Sequence, residues 1–193
     1  MDGILQEILM PYQLEWVMDQ SRFKIGNWSR QTGKSFSTSC EAVLGANLNH
    51  DLWVTMSAGE RQALEWLDKA KQWCQAYKIA VDSDVRINER DPMLTKGEIR
   101  LHNGGRIIAI PANPATARGY SANLVLDEFA IHEKPAEIWA AIYPSITNPL
   151  SGRKVLRIVS TPKGRGNKFA DLWEHNDRYA KHLVTIEDAV RMG

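Results

Sequence analysis

One segment, Ser29-Arg30-Gln31-Thr32-Gly33-Lys34-Ser35, offers what a bound phosphate requires. Backbone N–H donors, the positive end of a helix and a cation fall within seven residues. At this spacing Lys34 would reach the β- and γ-phosphates of ATP, and the Ser35 hydroxyl would ligate Mg²⁺. Ser29, Arg30, Gln31, Thr32 and Gly33 would form the cradle itself. The segment departs from the usual Gly-x-x-x-x-Gly-Lys-Ser pattern at its first position, where Trp28 replaces glycine.

A second pattern is Asn123-Leu124-Val125-Leu126-Asp127-Glu128. A hydrophobic strand ending in an acid puts that carboxylate at the carboxyl edge of a sheet, where ligands sit in open α/β folds. Asp127 would hold Mg²⁺ through water, and Glu128 would polarise the attacking water as general base. Two solvated acids at a strand end are the plain alternative. A glutamate directly after the metal acid belongs to nucleoside triphosphatases that hydrolyse. A small-molecule kinase would need an acceptor pocket, for which the sequence holds no motif.

Three further patterns depend on these two. Ser160 and Thr161 close the apolar run Val155–Ser160 and could sense the γ-phosphate; a strand-ending turn explains them as well. Tyr12 could stack on adenine and the Gln13 amide could read its edge, although an N-terminal helix cap is equally consistent with Pro11-Tyr12-Gln13. Arg30, inside the loop, and Arg118, in Ala117-Arg118-Gly119-Tyr120, are candidate arginine fingers acting in cis or in trans. An ordinary surface arginine is the alternative for Arg118.

These groups need a scaffold, and the hydrophobic pattern supplies one. Phe23–Asn27, Leu52–Ser57, Asn123–Leu126 and Val155–Ser160 read as strands. Gly33–Asn47, Gly59–Tyr77, Ala136–Ile142 and Asn167–Glu174 read as helices. In the second of these, Ala63, Leu64, Trp66, Leu67, Ala70 and Trp73 form a core-facing stripe. Asn103-Gly104-Gly105 marks a hairpin between Glu98–Leu101 and Arg106–Ile110. Alternating strands and helices predict an α/β fold with a mainly parallel central sheet flanked by helices. The phosphate loop, the strand Leu52–Ser57 between it and the acids, and the Asp127-Glu128 pair make the expected class a P-loop fold of the additional-strand, catalytic-glutamate type.

Composition sets outer limits. A chain of 193 residues with 44% hydrophobic and 24% charged residues suits one soluble globular domain with a real core. Two cysteines, Cys40 and Cys74, without metal-ligand spacing fit a reducing compartment. No apolar run approaches the ~20 residues that span a bilayer, and the acidic start lacks a secretory n-region. Those features predict a cytoplasmic protein. Net charge is +1, but residues 151–193 hold 9 basic against 5 acidic residues, an excess that could face phosphate.

Taken in order, Pro11-Tyr-Gln13, Ser29–Ser35, Gly97–Pro111, Ala117-Arg-Gly119, Leu124–Glu128 and Ser160-Thr-Pro162 resemble the motif series of phage terminase large subunits, most closely Mu-like prophage terminases. The resemblance implies an ATP-driven motor pushing double-stranded DNA into a procapsid from the host cell cytoplasm. It implies a homo-oligomeric ring on the portal protein, working with a small terminase subunit. It assigns the work to Lys34, Ser35, Asp127, Glu128, Ser160 and Thr161. Family members carry a second, ribonuclease H-like nuclease domain. Here residues 1–180 would form the ATPase domain and 181–193 the start of a linker to the missing nuclease, so that this chain would not cut DNA. Competing expectations are another P-loop translocase or helicase-like ATPase, a nucleotide-binding assembly module without turnover, and a structural DNA-binding domain.

Overall fold

In the computed structural model, which describes residues 2–79, 81–87 and 96–193, the apolar runs become strands that alternate with covering helices. The strands are β1 (Phe23–Trp28), β2 (Leu52–Ser57), β3 (Val81–Ile87), β4 (Lys96–Leu101), β5 (Arg106–Pro111), β6 (Asn123–Asp127), β7 (Leu156–Ser160) and β8 (Ala180–Val184). The helices are α1 (Asp2–Ile8), α2 (Pro11–Met18), α3 (Lys34–Asn49), α4 (Glu60–Ala76), α5 (Pro114–Ala117), α6 (Pro135–Thr147), α7 (Lys168–His175) and α8 (Ile186–Met192). Among the described residues the strands form one sheet in the order β3-β4-β5-β2-β6-β7-β1-β8. The six strands from β5 to β8 in that order are parallel, and β4 and β3 add antiparallel strands at one edge. The predicted hairpin joins β4 to β5, with Gly104 in the left-handed region at φ +91°.

The sheet is covered on both faces, as a parallel sheet must be. On one face α3 and α4 pack with α1 and α2 over Trp16, Trp28, Trp66 and Trp73, all fully buried. Of the α4 stripe, Ala63, Trp66, Leu67, Ala70 and Trp73 are core, as the periodicity predicts, and Leu64 is half-buried. Two of its indoles are also satisfied: Trp66 Nε1 donates to Thr38 Oγ1 at 3.0 Å and Trp73 Nε1 to the Phe36 carbonyl at 3.0 Å. On the other face α6 and α7 cover Phe129, Ile138, Ile142 and Phe169. No helix among the described residues is long and apolar enough to cross a membrane.

Residues 181–184, expected to begin a linker, instead belong to the sheet. They pair in parallel with β1, from Lys24↔Ala180 to Trp28↔Val184. Ala180-Lys-His-Leu-Val184 lacks a hydrophobic run because β8 is an edge strand with alternate side chains in solvent. Its His182 Nε2 lies 2.8 Å from Asp19 Oδ2, tying the edge back to the end of α2. Burial alone would raise the Asp19 pKa; hydrogen bonds from Ser21 and His182 outweigh it and hold that pKa at about 2.

Two cations interrupt otherwise apolar strands, Lys24 in β1 and Arg157 in β7. Both meet Glu41 of α3: Lys24 Nζ is 3.0 Å from Oε2 and Arg157 Nε is 2.6 Å from Oε1. Lys24 also donates to the carbonyls of Trp16 and Asp19 at 2.6 and 2.9 Å, and Arg157 to that of Arg22 at 2.9 Å. Burial lowers Lys24 to about 8 despite the neighbouring carboxylate. This network fastens α2, α3, β1 and β7 beneath the phosphate loop.

Candidate functional site

Register brings the chemistry together. Asn27 of β1 lies opposite Ser160 of β7, and Asp127 of β6 lies opposite Val159. All three strands therefore end at one edge, and the segments that leave them converge there. The loop after β1 turns through Gln31 at φ +60° and Gly33 at φ +81° before Lys34 opens α3. Trp28, in place of the first glycine, is the last residue of β1. It is fully buried and meets Tyr12 and Trp16 edge to face at 5.5 and 5.8 Å. The variant position is thus an anchor for the base of the loop.

Lys34 is the hub. Its Nζ donates to the Ser29 carbonyl at 3.0 Å and to Thr161 Oγ1 at 2.9 Å, and it pairs with Glu128 Oε1 at 3.2 Å. Glu128 Oε2 accepts the Thr161 backbone N–H at 2.9 Å. Lys34, Glu128 and Thr161 therefore form one contact set. Ser160 turns its hydroxyl toward the turn after β6, accepting from the Ala130 N–H at 3.0 Å.

Ser35 Oγ lies 3.1 and 3.0 Å from the two oxygens of Asp127. Asp127 is almost fully buried; burial first, then the Glu128 charge, pushes its pKa up to about 6. A carboxylate so disfavoured as a bare anion is suited to a cation. Hydroxyl and carboxylate oxygens are the hard donors that Mg²⁺ takes together with phosphate oxygens and water. No cluster of three or more His, Cys, Asp or Glu able to hold a metal occurs among the described residues, so the remaining ligands would come from substrate and solvent.

Glu128 has φ +52°, a left-handed conformation that a residue with a side chain adopts at a cost of order 1–3 kcal/mol. The turn is held on both sides. The Ile131 N–H donates to the Glu128 carbonyl at 3.0 Å, and His132 Nε2 lies 2.9 Å from the Asp127 carbonyl. Burial lowers the His132 pKa, and because a carbonyl oxygen only accepts, Nε2–H is the donor. Sequence reasoning missed His132, which lies five residues beyond Asp127, between Phe129-Ala130-Ile131 and the charged pair Glu133-Lys134.

Two expectations need correcting. Tyr12 is buried edge-on against Trp28, so its ring is not offered to a base. The Gln13 amide is engaged at both ends, donating to the Thr32 carbonyl at 3.0 Å and accepting from the Met10 N–H at 3.1 Å. Helix α2 starts beside the loop, so Gln13 braces the phosphate loop. A Cβ on Gly33 would stand 2.2 Å from Gln13 Nε2. Gly33→Ala therefore suffers the left-handed penalty, about 1–2 kcal/mol, and loses the brace. Urea unfolding should show at least that loss, together with weaker nucleotide binding; an unchanged midpoint and affinity would refute the bracing role.

The arginines stand apart. Arg30 is exposed on the loop and has no partner among the described residues. Arg118 is exposed at the end of α5, beside a shallow recess formed with Tyr120 and with Ala141, Pro144 and Asn148 of α6 and its end. None of Lys34, Ser35, Asp127 and Glu128 lines that recess.

Comparison with known proteins gives the family and the fold. Residues 25–193 match the family described as terminase large subunit, T4likevirus-type, N-terminal. The chain is 29% identical over 197 residues to the Mu-like prophage FluMu protein gp28 of Haemophilus influenzae, covering 96% of this chain and 38% of that protein. It is 26% identical over 208 residues to the probable terminase large subunit gp28 of Escherichia phage Mu, covering 97% and 36%. It thus spans well under half of these relatives. Among solved structures, the large terminase ATPase domain of Thermus phage P74-26 superposes with a TM-score of 0.69 at 18% identity, covering 98% of this chain and 86% of that one. The large terminase of another thermophilic bacteriophage, in complex with ADP, gives 0.67 at 14% identity, covering 96% and 47%. The fold is shared with both.

Proposed function

The chain belongs to the terminase large-subunit family, whose N-terminal part it matches, and from that premise we propose that it is the Mg²⁺-dependent ATPase motor domain of a viral DNA-packaging machine. The observation that carries this reading is the convergence of Lys34, Ser35, Asp127, Glu128 and Thr161 at one sheet edge. ATP would lay its phosphates on the Ser29–Ser35 loop, with Lys34 on the β- and γ-oxygens. Ser35 and Asp127 would hold Mg²⁺, which when bound offsets phosphate charge. As ATP arrives, Lys34 exchanges the Glu128 carboxylate for phosphate oxygen, and Glu128 is freed to accept a proton. Water oxygen then attacks the γ-phosphorus, the bond to the bridging oxygen breaks, ADP leaves with the electron pair, and Glu128 takes the water proton. Thr161, touching both Lys34 and Glu128, would report γ-phosphate loss to the rest of the domain.

Transition-state charge on the γ-phosphoryl group calls for an arginine. The exposure of Arg118, on a surface its own site does not share, favours action in trans on a neighbouring copy. That requires the ring expected of the family, mounted on the portal with the small subunit, in the host cytoplasm. Double-stranded DNA would be the cargo. The relatives' unmatched length would hold the expected nuclease domain. A mixing experiment tests the arrangement. Arg118→Ala and Glu128→Gln should each be inactive alone, and their mixture should recover ATP turnover, because one chain supplies the base and the other the finger. No recovery, with Arg118→Ala active by itself, would remove Arg118 from the site.

A further inference from the structure

Thr161 ends the contact set around Lys34 and Glu128, and the next five residues, 162–166, are all exposed. They run Pro-Lys-Gly-Arg-Gly and lie on the same sheet edge as the phosphate loop, since β7 and β1 are adjacent and parallel. The loop stands in open space: a Cβ at Gly164 or Gly166 would meet nothing within 4 Å. Gly164 turns it at φ +68°. Its base is pinned by Asn167, whose Nδ2 donates to the carbonyls of Lys163 and Gly164 at 3.0 and 3.1 Å and whose Oδ1 accepts from the Ala170 N–H at 3.1 Å. The projection is therefore ordered at both ends.

Its cations are exposed. Lys163 has no ion-pair or hydrogen-bond partner for its side chain among the described residues. Arg165 reaches Glu174 at 3.1 Å with its side chain 89% exposed, a pair that water and salt largely screen. Arg30 adds a third exposed cation, on the neighbouring loop. The segment lies in the basic final fifth of the chain, on a molecule with a net charge of only +1. A packing role explains neither Lys163 nor Arg165, because neither is packed.

We infer that Lys163 and Arg165 grip the phosphate backbone of duplex DNA, and that their position two and four residues after Thr161 joins DNA contact to the γ-phosphate site. This rests on the motor reading above and adds to it the residues that touch the cargo. Two flexible cations on a bare loop make sequence-independent phosphate contacts and read no bases. DNA held there pulls on the segment whose other end bonds Glu128 and Lys34, so cargo and hydrolysis state are felt at one place.

The test uses Lys163→Ala/Arg165→Ala beside a charge-matched control, Arg61→Ala/Arg191→Ala, which removes two exposed cations from α4 and α8. Binding of the purified chain to a blunt random-sequence duplex is measured by anisotropy across a salt series. Each lost phosphate contact lowers the slope of log K against log salt by about 0.9, so the loop variant should fall by about 1.8 while the control keeps the parent slope. ATP turnover without DNA should be the same in all three proteins, and its stimulation by duplex should vanish only in the loop variant. An unchanged slope would overturn the inference, as would failure of the parent to bind duplex. A raised KM for ATP with an unchanged slope would overturn it too, assigning the loop to nucleotide. Failure of the motor reading looks different: the parent then hydrolyses no ATP, whatever its salt slope.

Discussion

Glu41→Ala is expected to cost about 3–5 kcal/mol of folding stability, the cost of removing one partner from a buried ionic group. It strips away the carboxylate that faces both Lys24, whose side chain is fully buried, and Arg157, which is 4% exposed. Both cations would stay in place, because their backbone acceptors on Trp16, Asp19 and Arg22 hold them. Arg157 would be left as an uncompensated buried charge, and Lys24, which burial already lowers to about 8, would lose the carboxylate that favours its charged form. A domain commonly has about 5–15 kcal/mol in all, so this one change removes a large share. Urea unfolding with an unchanged slope measures it. Replacing all three residues together with Met, Leu and Met should restore most of the loss, since apolar groups of similar volume often match a buried ionic cluster. A loss below ~1 kcal/mol for Glu41→Ala would show that the network contributes little.

The same network shows what the sequence could not display. The strand positions of Lys24 and Arg157 are plain from their apolar neighbours, but nothing in the spacing of residues 24, 41 and 157 announces that they meet. Only the sheet order, with β7 beside β1 and α3 above both, brings them together. The phosphate loop, the Asp127-Glu128 pair and the Ser160-Thr161 ending were legible because each is local: a strand end followed by a polar turn. The hairpin around Asn103-Gly104-Gly105 was legible for the same reason. Strand β8 was not, since an edge strand carries half the hydrophobic signal of a central one and its partner lies about 150 residues away in sequence. The roles of Tyr12 and Gln13 were misread because their residue types allow base recognition, whereas helix α2 lies against Trp28 and turns both inward. His132 was hidden because its partner is a backbone carbonyl, which has no sequence signature.

Glu128→Gln should leave nucleotide binding intact and lower turnover by a factor of about 10²–10⁴, the usual contribution of a positioned general base. The substitution keeps the shape of the side chain and its acceptor for the Thr161 N–H, and it removes the ion pair with Lys34. Lys34 is then more available for phosphate, so affinity should hold or improve while the proton acceptor is gone. The left-handed backbone at residue 128 is unaffected, since glutamine and glutamate carry the same stem, and thermal stability should stay near that of the parent.

Phosphate release from Mg²⁺-ATP, per chain and over a wide range of protein concentration, with Glu128→Gln as the blank, tests the central claim most directly. The parent should release phosphate, the variant should release less than about a hundredth as much, and the parent's rate per chain should climb with concentration as neighbours supply Arg118. Equal release by parent and variant would contradict the account, because the group placed on Lys34 and Thr161 would then not be the base.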